Sequence, residues 1–286
     1  MPRLLAVGHV TWDQLKGRQV LGGSVSYATL AARKLGWVAA ALTSAGADFD
    51  PARDLPDVTV FRSGSGATTR FVNVYGSDGG RQQVLSARAD AIDFGRLPEE
   101  WRDPDVLLLG GVAAEIPPRS AQLFQAEVVG ANAQGWLRAF DVDGTVYPLE
   151  WKDPAADLAG VHVLFLSEHD LPNARERCRE LLSFVPVIAL TRGWRGLYLI
   201  TRDGEEEVPG LPRQEIDPTG AGDVFAATFL MRYHETGNVA EAAAFATCGA
   251  SCVVEGIAAT TLGDRPEIER RQVMRERIYE EGEWEE

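Results

Sequence analysis

The 286-residue sequence has only three cysteines, few lysines and no long apolar run. Cys178, Cys248 and Cys252 are too few for a disulfide framework, and the spacing of the last two places both on one face of a predicted helix, as core residues. No stretch approaches the roughly 18 apolar residues of a membrane-spanning helix, and the N-terminus carries no apolar signal segment. We therefore expect a cytoplasmic chain that does not bind membranes.

Positive charge is also scarce, with 28 basic against 42 acidic residues and a formal net charge of −14. Nucleic acids are bound by clustered basic surface, so this balance argues against a nucleic-acid partner. An anionic cofactor remains compatible, because one site can recruit backbone amides and a metal ion. The four histidines have no metal-ligand spacing, and neither a P-loop nor a complete dinucleotide fingerprint is present. These absences disfavour a dinucleotide oxidoreductase.

Short apolar runs alternate with helical patterns along most of the chain. Runs that predict buried strands lie at residues 4–8, 38–44, 106–110, 137–142, 161–167 and 185–191. Amphipathic segments that predict helices lie between them, at residues 24–35, 119–133 and 171–183. This rhythm predicts an α/β fold, a three-layer α/β/α sandwich with a mostly parallel central sheet, as a single domain over residues 1–286.

Two hairpins interrupt the rhythm. The β-rich runs 68–75 and 81–87 flank Gly-Ser-Asp-Gly-Gly at residues 76–80, which predicts a hairpin that serves as an edge insertion or a lid. A second hairpin is predicted over residues 196–201 and 206–209. Beyond it we expect consecutive helices at 220–233 and 239–254, followed by a highly charged helical tail from residue 266.

The segment from Asp217 to Asp223, Asp-Pro-Thr-Gly-Ala-Gly-Asp, directly precedes an apolar helix. Its two glycines allow a tight turn, and a helix N-terminus adds unsatisfied N–H donors and a positive dipole end. Together these features suit an anion such as a transferring phosphoryl group, while Asp223 could take a proton from an attacking hydroxyl. A glycine and an aspartate at a helix start are also common capping chemistry, so this segment alone leaves both interpretations open.

The same segment resembles the C-terminal signature of the ribokinase-like (PfkB) carbohydrate kinases, and residues 22–36, beginning Gly-Gly-Ser-Val-Ser-Tyr, resemble their N-terminal signature. The resemblance spans the sequence. It implies ATP- and Mg²⁺-dependent phosphorylation of a hydroxyl on a small sugar or polyol. Asp223 corresponds to the catalytic base, and the amides of Gly220, Ala221 and Gly222 correspond to the anion hole. A monovalent-cation requirement and the choice between monomer and homodimer stay open.

The resemblance also implies an acceptor site. Asp13 follows the first strand, where the family places an aspartate that binds substrate hydroxyls, although a turn-capping role is the alternative. Gly22 and Gly23 would let the backbone approach the substrate, and Ser26 is placed in the same site. Tyr27 stands where the family often has asparagine, which predicts a reshaped substrate pocket.

The nucleotide and metal positions are carried over in the same way. The segment Thr191-Arg192-Gly193, with Gly196, resembles the strand end beside the nucleotide. Thr247 lies on a predicted helix that resembles the one flanking the adenine in this family. The family's Asn-x-x-Glu motif appears here as Ser167-Glu-His-Asp170. Asp170 is either a metal-associated carboxylate or the N-cap of the next helix, and these alternatives are equally weighted.

The acceptor and the lid remain the least determined features. The opening segment, Tyr27 and a short lid look most like the myo-inositol kinase branch, while ribose, fructose, a sugar acid or a nucleoside remain alternatives. A non-catalytic nucleotide- or sugar-binding homologue is a further alternative. The stretch between Asp13 and Gly22 is short for this family, so we expect the lid to come mainly from residues 68–87.

Overall fold

The structure, a computed structural model, describes residues 1–15, 17–75 and 81–281. In chain order the strands are β1 Arg3–Val7, β2 Thr11–Leu15, β3 Arg18–Gly22, β4 Val38–Ala45, β5 Thr59–Gly64, β6 Thr69–Tyr75, β7 Arg81–Ala87, β8 Val106–Leu109, β9 Val128–Asn132, β10 Arg138–Phe140, β11 Val146–Pro148, β12 Val163–Ser167, β13 Val187–Thr191, β14 Leu197–Thr201 and β15 Gly204–Val208. The helices are α1 Ser24–Lys34, α2 Pro51–Asp54, α3 Pro154–Asp157, α4 Ala174–Leu181, α5 Ala221–Thr236, α6 Val239–Val253 and α7 Arg265–Glu281.

The main sheet has nine strands among the described residues, in the spatial order β15-β14-β13-β12-β9-β8-β1-β4-β5. All neighbours from β13 to β5 pair in parallel, and β14 and β15 add an antiparallel edge. Strand β1 lies between β4 and β8, so the first strand of the chain is central. This topology confirms the predicted α/β architecture.

Both faces of the sheet are buried, which explains the lack of strict polar alternation in its strands. In β1, Leu4 and Ala6 pack into the core beneath α1, α5 and α6, while Leu5 and Val7 pack into the core on the opposite face, where α4 lies. The three cysteines are free and buried, as predicted. The molecule therefore has the three layers that the sequence predicts.

The segment after β8 differs from the prediction. The sequence pattern predicts a helix over residues 119–133, but they form a 3₁₀ turn at Ser120–Leu123 and then strand β9. The pattern also predicts a core strand over residues 137–142, but only Arg138–Phe140 is extended, in the two-stranded sheet with β11. Gly130 in β9 packs directly against Leu230 of α5, where a side chain on residue 130 would overlap it. Pairing with β8 and β12, together with close packing against α5, thus overrides the helical pattern of this segment.

A second sheet of four strands, in the order β3-β2-β6-β7, is named the lid sheet. Strands β6 and β7 pair antiparallel as predicted, and their connection at 76–80 lies outside the described residues. The expectation that residues 13–22 are too short to add a hairpin is wrong, because β2 and β3 pair antiparallel and β2 joins β6 in parallel. The lid sheet therefore comes from two hairpins.

The C-terminal helices have the predicted order. Helix α5 is preceded by Gly220 and followed by Gly237, both in the left-handed region, and Asn238 caps α6 by accepting hydrogen bonds from two amides of its first turn. The predicted charged tail is helical as far as Glu281, and residues 282–286 lie outside the described residues. Among the helices described, none is long and apolar enough to cross a bilayer.

Candidate active site

A cavity of about 310 Å³ opens at the carboxyl edge of the main sheet, beneath the lid sheet. Its walls include the last residues of β9, β12 and β13 and the N-terminus of α5. In open α/β sheets this edge is where ligands bind. The cavity brings together Asp13 and Asp223, which are 210 positions apart in the sequence.

Asp223 lies in the first turn of α5 and accepts two hydrogen bonds through Oδ1. Ser24 donates from its hydroxyl at 2.5 Å, and the Asn132 amide donates at 2.9 Å. Burial raises the pKa of Asp223 to about 6, helped by the charge of Asp13 and opposed by Ser24, Arg138 and Asn132. The carboxylate is therefore fixed in orientation and more basic than an exposed aspartate.

The turn that precedes Asp223 keeps several amides available. Gly220 has a φ of +82°, and a side chain there would overlap the Tyr27 ring. Ala221 donates its N–H to the Pro218 carbonyl at 3.2 Å, whereas the amides of Gly222 and Asp223 have no carbonyl partner within the described ranges. Of the predicted anion-hole donors, the Ala221 amide is thus already used in a hydrogen bond within the turn. The first free amides of α5 carry the positive end of the helix dipole.

Asp217 stabilises this turn through hydrogen bonds to its carboxylate. Its carboxylate accepts hydrogen bonds from the Thr219 hydroxyl at 2.7 Å, from the Thr219 amide at 3.1 Å and from the Ala258 amide at 3.3 Å. The residue is only 5% exposed, so it acts within the protein and not on a ligand. The first aspartate of the segment therefore shapes the turn, and the last one faces the cavity.

Asp13 lies on β2, so the lid sheet carries it into the cavity. Its Oδ1 accepts a hydrogen bond from the Thr11 hydroxyl at 2.8 Å. Gly22 pairs with Thr11 across the hairpin, and a side chain on Gly22 would overlap the Asp13 carboxylate. Gly23 has a φ of +86°, and a side chain on it would overlap the His9 carbonyl. The backbone therefore requires glycine at residue 23, whereas a side chain on residue 22 would displace the Asp13 carboxylate.

The other two predicted acceptor residues differ in position. The Ser26 hydroxyl donates to the Gly22 carbonyl at 2.7 Å, and Ser26 is not among the residues that line the main cavity. Tyr27 lines the cavity, and its hydroxyl is buried without a hydrogen-bond partner in the described part of the chain. Burial and the nearby Asp223 and Asp13 carboxylates raise the Tyr27 pKa, so the phenol stays neutral.

Asp170 lines the same cavity together with Ser167. Its Oδ2 accepts a hydrogen bond from the Ser167 amide at 2.7 Å, within the turn after β12. Asn173, not Asp170, precedes α4 as its N-cap, so the N-cap alternative for Asp170 is wrong. Burial raises the pKa of Asp170, while Arg138 lowers it. A partly buried carboxylate on the wall of this cavity fits a Mg²⁺ ion that takes its other ligands from phosphates and water.

A second cavity of about 150 Å³ adjoins the first, and both are lined by Thr191, Pro218 and Gly222. Its walls are largely apolar and include Trp194, Leu197, Leu211 and Phe225. Of the residues predicted to bind the nucleotide, four line it: Thr191, Gly193, Gly196 and Thr247.

The side chain of Arg192 lies elsewhere. Its guanidinium stacks on the Tyr198 ring at 4.0 Å and pairs with Glu207 at 2.5 Å. Arg192 therefore stabilises the antiparallel edge of the sheet, and its side chain does not line either cavity.

Among the polar residues of the main cavity that sequence reasoning missed are Ser24, Asn132, Gln134 and Arg138. Asn132 ends β9, and Arg138 begins β10, both in the region where the predicted secondary structure is wrong. A polar residue at the carboxyl end of a core strand is the signal that would have found Asn132, had β9 been placed correctly.

The chain is similar to known carbohydrate kinases. A family model described as "pfkB family carbohydrate kinase" matches residues 106–264. An inositol 3-kinase of Arabidopsis thaliana is 28% identical over 150 residues, which cover 51% of this chain and 42% of that protein. The match thus spans less than half of that curated relative.

Two solved structures share the fold. A pyrophosphate-dependent kinase in the ribokinase family, complexed with a pyrophosphate analog and myo-inositol, is 20% identical with a TM-score of 0.77, covering 93% of this chain and 99% of that one. A fructokinase with bound ATP from Xylella fastidiosa is 17% identical with a TM-score of 0.77, covering 96% and 99%. At these identities the likeness concerns the fold.

Proposed function

We propose that this chain, which belongs to the pfkB family of carbohydrate kinases, transfers the terminal phosphoryl group of ATP to a hydroxyl of a small polyol. The observation that carries the proposal is the single cavity lined by Asp13, Asp223 and the N-terminus of α5. A carboxylate that can accept hydrogen bonds from hydroxyls, a basic carboxylate and a set of free amides thus face one space. The two signatures support the same activity.

In the proposed mechanism Asp13 and the backbone at Gly23 orient the acceptor, and Asp223 takes the proton of the attacking hydroxyl. The acceptor oxygen bonds to the γ-phosphorus as the bond to the leaving ADP oxygen breaks, and the amides of Gly222 and Asp223 receive charge on the phosphoryl oxygens. Asp170 would hold Mg²⁺, which supplies charge neutralisation at the phosphates when bound. The lid sheet would exclude water, whose attack hydrolyses ATP.

The experiment that tests this function is a coupled ADP-release screen over inositols, pentoses, hexoses, sugar acids and nucleosides. We expect acceptor-dependent ADP release, and we expect a cyclitol to give the highest kcat/KM, because the relatives include an inositol 3-kinase. A nucleoside or sugar acid as the best acceptor would keep the kinase and change its substrate class. ATP binding without transfer to any acceptor would instead support a non-catalytic homologue.

The phosphoryl donor is predicted separately, because one structural neighbour is a pyrophosphate-dependent kinase. The second cavity is apolar and adjoins the helix N-terminus, and Trp194 on its wall is 63% exposed. Pyrophosphate has no group to fill an apolar slot, whereas adenine does, so we propose ATP as the donor. We expect ATP to quench Trp194 fluorescence with saturation, and pyrophosphate to leave it unchanged.

A Trp194→Leu variant isolates this signal from the other six tryptophans. In this variant the difference in fluorescence with and without ATP should disappear, while ADP release continues. Transfer from pyrophosphate at a higher kcat/KM than from ATP would contradict the donor assignment and leave the acceptor chemistry standing.

A further inference from the structure

Arg138 lines the main cavity, and the proposed mechanism gives it no role. It is the one cationic side chain among the described residues that line this cavity, which also contains Asp13, Asp170 and Asp223. Asp170, Asp223 and Asp13 all act on the guanidinium electrostatically. Arg138 itself is partly buried, and no hydrogen bond or ion pair joins its guanidinium to another residue in the described part of the chain.

The lid sheet positions this side chain. The Arg138 guanidinium lies 5.8 Å from the centre of the Phe71 ring on β6, in cation–π contact. The β10–β11 hairpin is joined to β7, because Leu85 donates its N–H to the Gly144 carbonyl at 2.7 Å and Val84 bridges Thr145. Any movement of the lid sheet relative to the main sheet would therefore carry Arg138 with it.

We propose that Arg138 is a catalytic arginine that the lid sheet carries onto the phosphoryl group in transfer. The inference rests on the proposed function. A phosphoryl group that enters this cavity meets three carboxylates, and like charges disfavour it there. A guanidinium offers several fixed N–H donors to phosphoryl oxygens and exchanges no proton, so the bonds made and broken are those of the phosphoryl transfer itself.

The carboxylates that act on Arg138 belong to both ends of the proposed reaction. Asp170, Asp223 and Asp13 all favour the charged guanidinium, against the opposing effect of burial. In the proposed mechanism Asp170 lies at the donor phosphates, Asp223 at the attacking hydroxyl and Asp13 at the other hydroxyls of the acceptor. A phosphoryl group that passes from donor to acceptor therefore moves among the carboxylates that act on Arg138.

The test compares Arg138→Gln with Arg138→Lys and with Arg70→Gln. Arg70 neighbours Phe71 on β6, but its side chain pairs with Asp48, so the control removes one positive charge close to the cavity without altering the residues that line it. We expect Arg138→Gln to lower kcat about 10²-fold, as the loss of one preorganised donor does, with both KM values changing less than about fivefold. Arg138→Lys should recover part of kcat, and Arg70→Gln should stay near the parent.

A pH profile separates this role from a structural one. Arg138 lowers the pKa of Asp223, so Arg138→Gln should move the acidic limb of kcat/KM to higher pH, while Arg138→Lys should leave it near its original position. Melting temperatures of all variants show whether the fold is kept. Phe71→Leu keeps the guanidinium and removes the aromatic ring that it contacts. This variant should also lower kcat, by a smaller factor than Arg138→Gln.

Each outcome is decisive. An Arg138→Gln enzyme with parental kcat and a large rise in the acceptor KM would overturn the proposal and assign Arg138 to acceptor recognition. Parental kcat with parental KM would overturn it outright. Absence of phosphoryl transfer by the wild-type chain would reject the proposed function, and Arg138 with it, whereas an active wild-type enzyme tests Arg138 alone.

Discussion

Asp223→Asn should lose turnover by about 10²- to 10⁴-fold, the usual effect of removing a general base. The amide keeps the shape of the carboxylate and can still accept the Ser24 hydrogen bond, but it cannot take a proton from the acceptor hydroxyl. We expect the KM values to change little, since Asp13 and the α5 amides remain in place. The measurement is kcat from acceptor-dependent ADP release, at several pH values.

The same variant should be at least as stable as the parent at neutral pH. Burial raises the folded-state pKa of Asp223 to about 6, above the unfolded value near 4, so the folded state favours the protonated form. Ionised Asp223 therefore destabilises the fold, and this penalty grows between about pH 4 and 6 and stays constant above it. We expect Asp223→Asn to unfold with ~1–3 kcal/mol higher free energy at pH 7 and with little difference at pH 4.

The raised pKa of Asp223 should also be visible in the pH dependence of kcat/KM of the parent enzyme. Because the base must be ionised, kcat/KM should fall about tenfold per pH unit below an acidic limb near pH 6. Asp203→Asn, in the exposed turn between β14 and β15, is the control, and it should change neither rate nor stability profile. Near-parental kcat in Asp223→Asn, or an acidic limb near pH 4, would remove Asp223 from this role.

The sequence was sufficient for the parts of the site that depend on local chain geometry. Glycines before an apolar helix, with an aspartate in its first turn, specify a helix N-terminus and the side chain on it, so Gly220 and Asp223 could be placed without tertiary information. The same holds for Gly22 and Gly23 before α1. The parallel sheet could also be predicted from continuous apolar runs, since buried strands need no alternation.

The missed residues depend on packing between distant segments. The sequence pattern predicts a helix over β9, but this segment pairs in parallel with β8 and β12 and packs through Gly130 against α5, and it thereby delivers Asn132 to Asp223. The side chains of Ser26 and Arg192 lie away from the two cavities for a related reason, because the Ser26 hydroxyl donates to the Gly22 carbonyl and the Arg192 guanidinium pairs with Glu207. Tertiary contacts decide which hydrogen bond a polar side chain makes, and the spacing of residues in the sequence does not show these contacts.

Gly220→Ala should be the second most damaging single change at this site. The residue has a φ of +82°, which costs an alanine roughly 1–2 kcal/mol, and its new methyl group would overlap the Tyr27 ring. Tyr27 is 2% exposed, so it cannot swing away without displacing α1. The N-terminus of α5 must shift instead, and with it the Gly222 and Asp223 amides and the Asp223 carboxylate.

A displacement of about 1 Å at a reacting centre lowers rates by roughly 10²-fold, so we expect kcat of Gly220→Ala to fall about 10²- to 10³-fold, together with a lower melting temperature. Gly222→Ala is the matched stability control, because its φ is ordinary and no atom lies within 4 Å of the added methyl group. It should fold with parental or higher stability, since alanine favours a helix by up to ~1 kcal/mol over glycine. A Gly220→Ala enzyme with parental kcat would show that the amides at the start of α5 do not receive the transferring phosphoryl group.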